Sequence, residues 1–366
     1  MNATNKNRVY YIDYLKVFLM MLVIMLHSIL AYTANDWPFH DGDSYIDVER
    51  NIALLRGFFM GMYFLLAGSF LARSVERYNL GQIIVKKFER LGFPVLFILL
   101  VLTPIDYYVV ARRTNEFAGS FMQYFAEVYV GQGRFNYGHG WFLVVLFFLS
   151  VIYAVYYHFF GRRLPREYNL TLNLWLILGT GIISGVLNHI VRAKYELNQW
   201  VSLLGFIGIE PAHIWMYIIM FAFGIIGGKC GWFRNINKRL GLVCTAIAIV
   251  LSALYCFADA GRMTYSGLYL ELWDVLESVY AMAISIGLMY IAERFIDRPI
   301  KSLQSLAGCY YSAYIFHITP VILLQVAFSY VEMPVQLKCT LVCVLAIIVS
   351  FILGYLFEKV KNVRKV

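Results

Sequence analysis

The residues best placed to do chemistry begin in the first apolar stretch, Arg8-Val-Tyr-Tyr-Ile-Asp13-Tyr-Leu-Lys16, which runs on through His27 to Tyr32. It is long enough to cross a bilayer, yet it holds an acid, a base and a histidine. On a helix turning about 100° per residue, Lys16 and His27 fall ~20° apart, and Asp13 about 40° from His27. A rise of ~1.5 Å per residue sets Lys16 and His27 roughly 16 Å apart along the axis. Ionisable groups inside a membrane are costly and mark functional sites by default. An imidazole can be neutral there and act as a general base. The plainer reading of His27 is a packing histidine bonded to a neighbouring helix. The shared stripe with Asp13 and Lys16 favours chemistry, although that pair alone could be an ion pair at the membrane edge with Lys16 snorkelling.

Other candidates lie further along. His139 precedes Trp141 at the start of an apolar stretch, and His317 lies in Tyr311-Ser-Ala-Tyr314-Ile-Phe-His317-Ile-Thr-Pro320. Pro320 should bend that helix and free carbonyls for side chains. Arg73, Arg77, Lys86, Lys87 and Arg90 form the most basic connection, and Lys87 and Arg90 with Lys16 could make a cationic mouth for a phosphorylated ligand. Arg77 reads as ordinary topology charge. No Walker or dinucleotide glycine loop is present. His213 reads as a helix-start residue, His189 as an interface residue, and His40 and His158 as solvent or interface residues. The six cysteines form no CxxC and read as inert thiols, so no metal site is expected.

The elements that position these groups follow from composition. The chain is 61% hydrophobic and 14% charged, where a soluble domain carries about 25% charged residues. Ten apolar segments reach spanning length: roughly 10–32, 52–72, 92–111, 141–160, 171–191, 212–229, 241–259, 275–293, 306–329 and 339–357. The expected fold is an all-α polytopic membrane protein of about ten transmembrane helices, read as one integral domain over 1–366. The first segment is too long for a signal-peptide core and is interrupted by Asp13 and Lys16, so it reads as an uncleaved span. The amino terminus, the even-numbered connections and the tail carry most of the lysines and arginines. The positive-inside rule then sets both termini in the cytoplasm. The first outer loop is acidic, with Asp36, Asp41, Asp43, Asp47 and Glu49. The net charge of +9 is therefore cytoplasmic-face charge, and nucleic acid is not expected. Gly57, Gly61 and Gly68 should bring the second span tight against the first. The glycine-dense end of connection 112–140 should turn the chain or approach a ligand closely.

Taken together, these stretches resemble the acyltransferase-3 family of integral membrane acyltransferases, and within it the glucan biosynthesis protein C type. The resemblance is carried by Arg8-x4-Asp13-x2-Lys16-x10-His27 and Met62-Tyr-Phe-Leu-Leu-Ala-Gly68-Ser-Phe-Leu. It is carried also by Lys86-Lys87-Phe-Glu-Arg90-Leu-Gly-Phe-Pro94, Gly138-His139-Gly-Trp141-Phe-Leu and Tyr314-Ile-Phe-His317-Ile-Thr-Pro320. Lys16 and Lys87 stand where the family usually has arginine, which keeps the charge and loses the bidentate fork. The resemblance implies acyl transfer across a bacterial inner or plasma membrane, from cytoplasmic acyl-CoA to a hydroxyl of an outer sugar or polysaccharide. It implies His27 as the base and Asp13 positioning Lys16 or the helix entrance. Lys16, Lys87, Arg90 and Arg73 would hold the nucleotide phosphates. His139, Trp141, Tyr314 and His317 would face the acceptor or the oxyanion. Acyl-CoA is a substrate in this reading, and no permanently bound cofactor is implied. A transporter or flippase for a lipid-linked sugar is the main rival from the span count, and a haem protein using His27 and His317 a distant one. The apolar spans assign no oligomeric state.

Overall fold

The computed structural model describes residues 9–33, 37–41, 49–161, 168–203, 207–258 and 268–363. Lys6, Arg8, Asp36, Asp43 and Asp47 lie outside these. In chain order the helices are α1 Tyr10–Leu30, α2 Glu49–Arg56, α3 Phe59–Arg77, α4 Leu80–Lys87, α5 Phe93–Phe97, α6 Thr103–Arg113, α7 Phe121–Gln123 and α8 Trp141–Phe159. Then follow α9 Leu174–Arg192, α10 Ile214–Cys230, α11 Lys238–Ala258, α12 Leu268–Ile296, α13 Lys301–Phe316, α14 Ile318–Phe328 and α15 Val335–Val363. A small antiparallel hairpin, β1 Val201–Leu203 with β2 Ile207–Ile209, precedes α10. Among the described residues, nine helices are long and apolar enough to cross a membrane, and ten if the bent pair α13–α14 is one span. The chain is an all-α polytopic membrane protein.

Two departures from regular helix have a common cause. The third span is a run from Leu80 to Arg113, with π-type turns at Phe88–Gly92 and Ile98–Leu102. Pro94 and Pro104 follow these turns closely, and proline offers no N–H to the preceding turn. Carbonyls there find side-chain donors instead. Tyr311 donates to the Arg90 carbonyl, and Tyr129 donates to Leu99 O at 2.6 Å. The ninth span breaks at His317, where α13 and α14 diverge by 65°. Pro320 lacks the N–H that would bond Phe316 O, and its ring crowds that carbonyl.

The chain divides into two compact units, residues 1–15, 50–88 and 144–300 forming one and 16–49, 89–143 and 301–366 the other. In the first unit, α3 and α10 meet backbone to backbone. A methyl group on Gly68 would strike Phe221 O, one on Gly224 would strike Leu65 O, and one on Gly228 would lie 2.5 Å from Ser69 O. Gly61 meets Met220, and Gly57 meets Glu277. The nearest neighbours of the second span's glycines are thus on α10 and α12, not on the expected first span. Gly224 and Gly228 supply the matching small face there. The first turn of α1 is anchored by the same unit: Asp297 accepts the Tyr10 and Tyr11 N–H groups at 2.7 and 3.2 Å, and Tyr11 donates to Phe233 O at 2.6 Å.

This unit also holds a buried ionic network. Arg192 at the end of α9 donates to Asp274 at 2.6 Å and to Glu277 at 2.5 Å, both on α12, and its Nε reaches Ala212 O at 3.1 Å. His213, at the foot of α10, sets Nε2 3.2 Å from Glu277 and Nδ1 3.0 Å from Glu210. Both ring nitrogens lie within ion-pair distance of carboxylates. Burial would raise the Glu210 carboxyl, but His213 beside it and the Asn198 N–H hold it below its ordinary value. His189 joins through Asp274 at 3.0 Å. His213 caps the start of α10, as expected, and His189 has a 44% exposed side chain in the last turn of α9; both are also members of this network. Removing one partner from a buried pair costs about 3–5 kcal/mol. Glu277→Gln, which takes the charge facing both Arg192 and His213, should lower the melting temperature in detergent by several degrees, while Lys361→Gln, at the exposed end of its pair with Glu358 (3.8 Å), should barely move it.

Candidate functional site

The second unit is built around the α13–α14 break. Gly354 of α15 sits against Ala313 and Cys309 of α13, and α14 packs on α6 and α15. A core of Tyr32, Phe39, Val110, Ile318, Ile322 and Val342 lies beneath. Asp41 and Lys338 form a buried ion pair of 2.6 Å that ties segment 37–41 to the start of α15.

At the break three imidazoles meet. The His317 ring lies 5.1 Å from that of His27 and 4.7 Å from that of His139. His317 is fully buried, His139 nearly so, and His27 partly. Each ring has one nitrogen against a main-chain carbonyl: His317 Nδ1 at 2.6 Å from Tyr314 O, His139 Nε2 at 3.1 Å from Ile315 O, and His27 Nδ1 at 2.8 Å from Val23 O. A carbonyl only accepts, so each of those nitrogens carries the proton. In their neutral form the rings then keep lone pairs at His317 Nε2, His139 Nδ1 and His27 Nε2. His317 Nε2 faces the His27 Nδ1–H at 3.4 Å. Among the described residues, no group of three His, Cys, Asp or Glu side chains is arranged to hold a metal.

The backbone that presents His139 is set by local turn chemistry. Ser120 caps α7, which widens into a π-type turn over Tyr124–Val130. Asn136 then accepts the Gly138 N–H at 2.7 Å, and Gly138 takes φ +43, a conformation that favours glycine. A short turn, Gly138–Gly140, leads into α8. The glycine-dense segment therefore turns the chain, as expected. Tyr314 donates to the His139 carbonyl and packs edge-on to that ring at 5.4 Å. Trp141 opens α8, its ring 6.3 Å from Phe142.

Two residues that sequence reasoning missed complete the arrangement. Gln325 of α14, fully buried, donates to His27 O at 3.0 Å and to Ser28 O at 3.1 Å. Its carbonyl accepts from Trp37 Nε1 at 2.9 Å, and the Trp37 ring lies 5.3 Å from His27. The signal was present: Gln325 is a lone amide among Val-Ile-Leu-Leu-Gln-Val-Ala-Phe, and a polar residue in a span needs a partner.

The cationic candidates are distributed. In the second unit, Lys16 lies 5.8 Å from the Tyr310 ring and Arg90 lies 5.7 Å from that of Tyr311. Arg73, Lys87 and Asp13 belong to the first unit, Arg73 exposed and the other two partly buried. The structure thus brings together His27, His139, Tyr314 and His317 around one break, and sets Lys16 and Arg90 beside the adjacent tyrosines of α13.

Comparison with known proteins gives the family. Glucans biosynthesis protein C of Escherichia coli strain K12 is 28% identical over 103 residues, 28% of this chain and 27% of that protein. The protein of that name from Salmonella heidelberg strain SL476 is 24% identical over 270 residues, 71% of this chain and 70% of that one. The match thus spans about a quarter of the first relative and more than two thirds of the second. No solved structure matches the chain. A family model described as an acyltransferase domain matches residues 9–355, nearly the whole described chain with its imidazoles and cations, so this multi-pass membrane protein belongs to the acyltransferase-3 family.

Proposed function

We propose that this acyltransferase moves an acyl group, acetyl or succinyl, from cytoplasmic acyl-CoA to a hydroxyl of a sugar or polysaccharide outside the cell membrane, within a single integral domain over 1–366 whose termini both face the cytoplasm. The observation that carries this reading is the state of His27: its Nδ1–H is fixed on Val23 O, which leaves the lone pair on Nε2. A neutral imidazole with a fixed tautomer in an apolar site is a ready general base.

In the reaction, the acceptor hydroxyl gives its proton to His27 Nε2 as its oxygen attacks the thioester carbonyl. The C–O bond forms, the tetrahedral intermediate collapses with cleavage of the C–S bond, and the leaving thiolate takes the proton back. While His27 is an imidazolium, its Nδ1–H faces two acceptors, Val23 O and His317 Nε2. These do for the ring what a carboxylate does in a triad, by orienting it and easing its charge. The protons of His139 and His317 are committed to carbonyls and the His317 Nε2 lone pair faces the His27 Nδ1–H, so the Nδ1 lone pair of His139 would accept a hydrogen bond from an acceptor hydroxyl, with His317 acting through His27. Trp141 and Tyr314 would border the acceptor. Lys16, Lys87, Arg90 and Arg73 would neutralise the phosphates of acyl-CoA, with Asp13 positioning Lys16.

Two outcomes test this. His27→Ala should keep the wild-type melting temperature and lose about 10²–10⁴-fold in acyl transfer from labelled acyl-CoA in nanodiscs, and glycans from cells carrying it should match the mass of those from cells without the protein. A well-folded His27→Ala protein with normal transfer would end the assignment. Gln325→Leu removes the clamp on the His27 and Ser28 carbonyls. It should lower kcat by about 10²-fold, the effect of displacing a reacting group by roughly 1 Å, with KM for acyl-CoA unchanged.

A further inference from the structure

A second site lies in the first unit, where the start of α11 approaches the last turns of α12. A cavity of about 460 Å³ opens there. This is the size range of small-ligand pockets. Its walls are polar. Asn235, Asn237 and Lys238 come from the turn into α11, and Tyr290, Glu293 and Arg294 from α12.

The donors in this cavity outnumber what the protein itself uses. Tyr290 is nine-tenths buried, yet its phenol makes no hydrogen bond with any described residue. Its ring is held there by Gly241, where a methyl group would run into it. Lys238 and Arg294 form no ion pair among the described residues. Asn237 caps α11 by accepting the Leu240 N–H at 3.2 Å, which leaves the first N–H groups of this 21-residue helix without in-helix acceptors. The one acid, Glu293, is engaged with the Ile236 N–H at 3.0 Å. A phenol, an ammonium, a guanidinium and a helix amino end around one cavity call for a ligand with several acceptor oxygens and negative charge.

We infer that this cavity binds a phosphate group. The surroundings favour the headgroup of an anionic phospholipid as its bearer. Leu242, Ile291 and Phe295 beside the cavity are exposed on membrane-spanning helices, where an acyl chain would lie, and basic pockets at helix ends are a known form of headgroup site. The cavity also adjoins the anchor of α1. Phe233, whose carbonyl holds Tyr11, is three residues before Ile236, and Asp297, which caps α1, is one turn past Arg294. A lipid bound here would brace the amino end of the helix that carries His27. This inference does not rest on the proposed reaction.

The test uses the full chain in detergent, with phosphatidylglycerol and phosphatidylcholine titrated separately and retention read by native mass spectrometry. The wild type should hold phosphatidylglycerol at least tenfold more tightly than phosphatidylcholine. The Lys238→Ala/Arg294→Ala variant, altered only at exposed side chains, should keep its melting temperature and lose that preference, and Tyr290→Phe should weaken binding severalfold. If adenosine 3′,5′-bisphosphate displaces the lipid from the wild type and does not bind the double variant, the site stands and its phosphate comes from a soluble donor. Equal phosphatidylglycerol binding by wild type and double variant, with no bisphosphate binding by either, would overturn the inference.

Discussion

A membrane-spanning helix normally satisfies all of its own carbonyls, and a side chain has no claim on them. Pro320 removes that constraint at one place. By breaking the ninth span at His317 with a 65° bend, it opens the turn that ends at Phe316. The carbonyls of Tyr314 and Ile315 just before the break face imidazole nitrogens. The second unit's polar interior depends on this exchange. It fixes which nitrogen of His317 and His139 carries a proton, and through His317 it sets what His27 meets at its Nδ1.

The chain handles its two buried polar clusters in opposite ways. In the first unit, Arg192, His213, Glu210, Asp274 and Glu277 are joined by pairs of opposite sign into a lattice that cross-links α9, α10 and α12. Such a lattice holds helices in register and has little left to offer a substrate. In the second unit, the imidazoles are bound to carbonyls and to one another, with Gln325 and Trp37 beside them. That cluster holds no carboxylate among these partners, and in the proposed reaction His27 takes up one proton. In that reaction two neutral acceptors, Val23 O and His317 Nε2, take the place that a carboxylate holds in a triad.

Much of this was legible in the sequence where the signal was local. Apolar length alone located the nine spanning helices found among the described residues and the bent pair α13–α14, and Pro320 marked its own bend. Where the expected third span began at 92, the helix begins at Leu80, because Lys86, Lys87, Glu89 and Arg90 hide helical continuity from a hydropathy reading. The shared stripe of Lys16 and His27 followed from helical geometry. The ionic network was not legible. Its members come from stretches 60 and more residues apart in part, and each alone looks like a charge at the end of a span. Only the packing of α9 and α12 through Gly181 and Gly185 brings Arg192 to Asp274 and Glu277. The second span's glycines were read correctly as contact residues, but a glycine does not say which helix it will meet.

The placement of Lys16 bears on its departure from the family's usual arginine. In the second unit α13 carries Tyr310 beside Lys16, Tyr311 beside Arg90, Tyr314 beside His139, and then His317 at the break. From Tyr310 to His317 is about 10 Å along a helix, so one element fixes the spacing between cations and imidazoles. Tyr311 also holds the Arg90 carbonyl through its hydroxyl, tying that cation's backbone to the same element. A flexible ammonium beside an aromatic face needs no fork geometry to neutralise a phosphate. In the proposed reaction the bidentate contact that Lys16 lacks can come from Arg90, and Lys16 serves as a point charge. Distance from the phosphates to the base is then set by α13, which neither residue's identity alters.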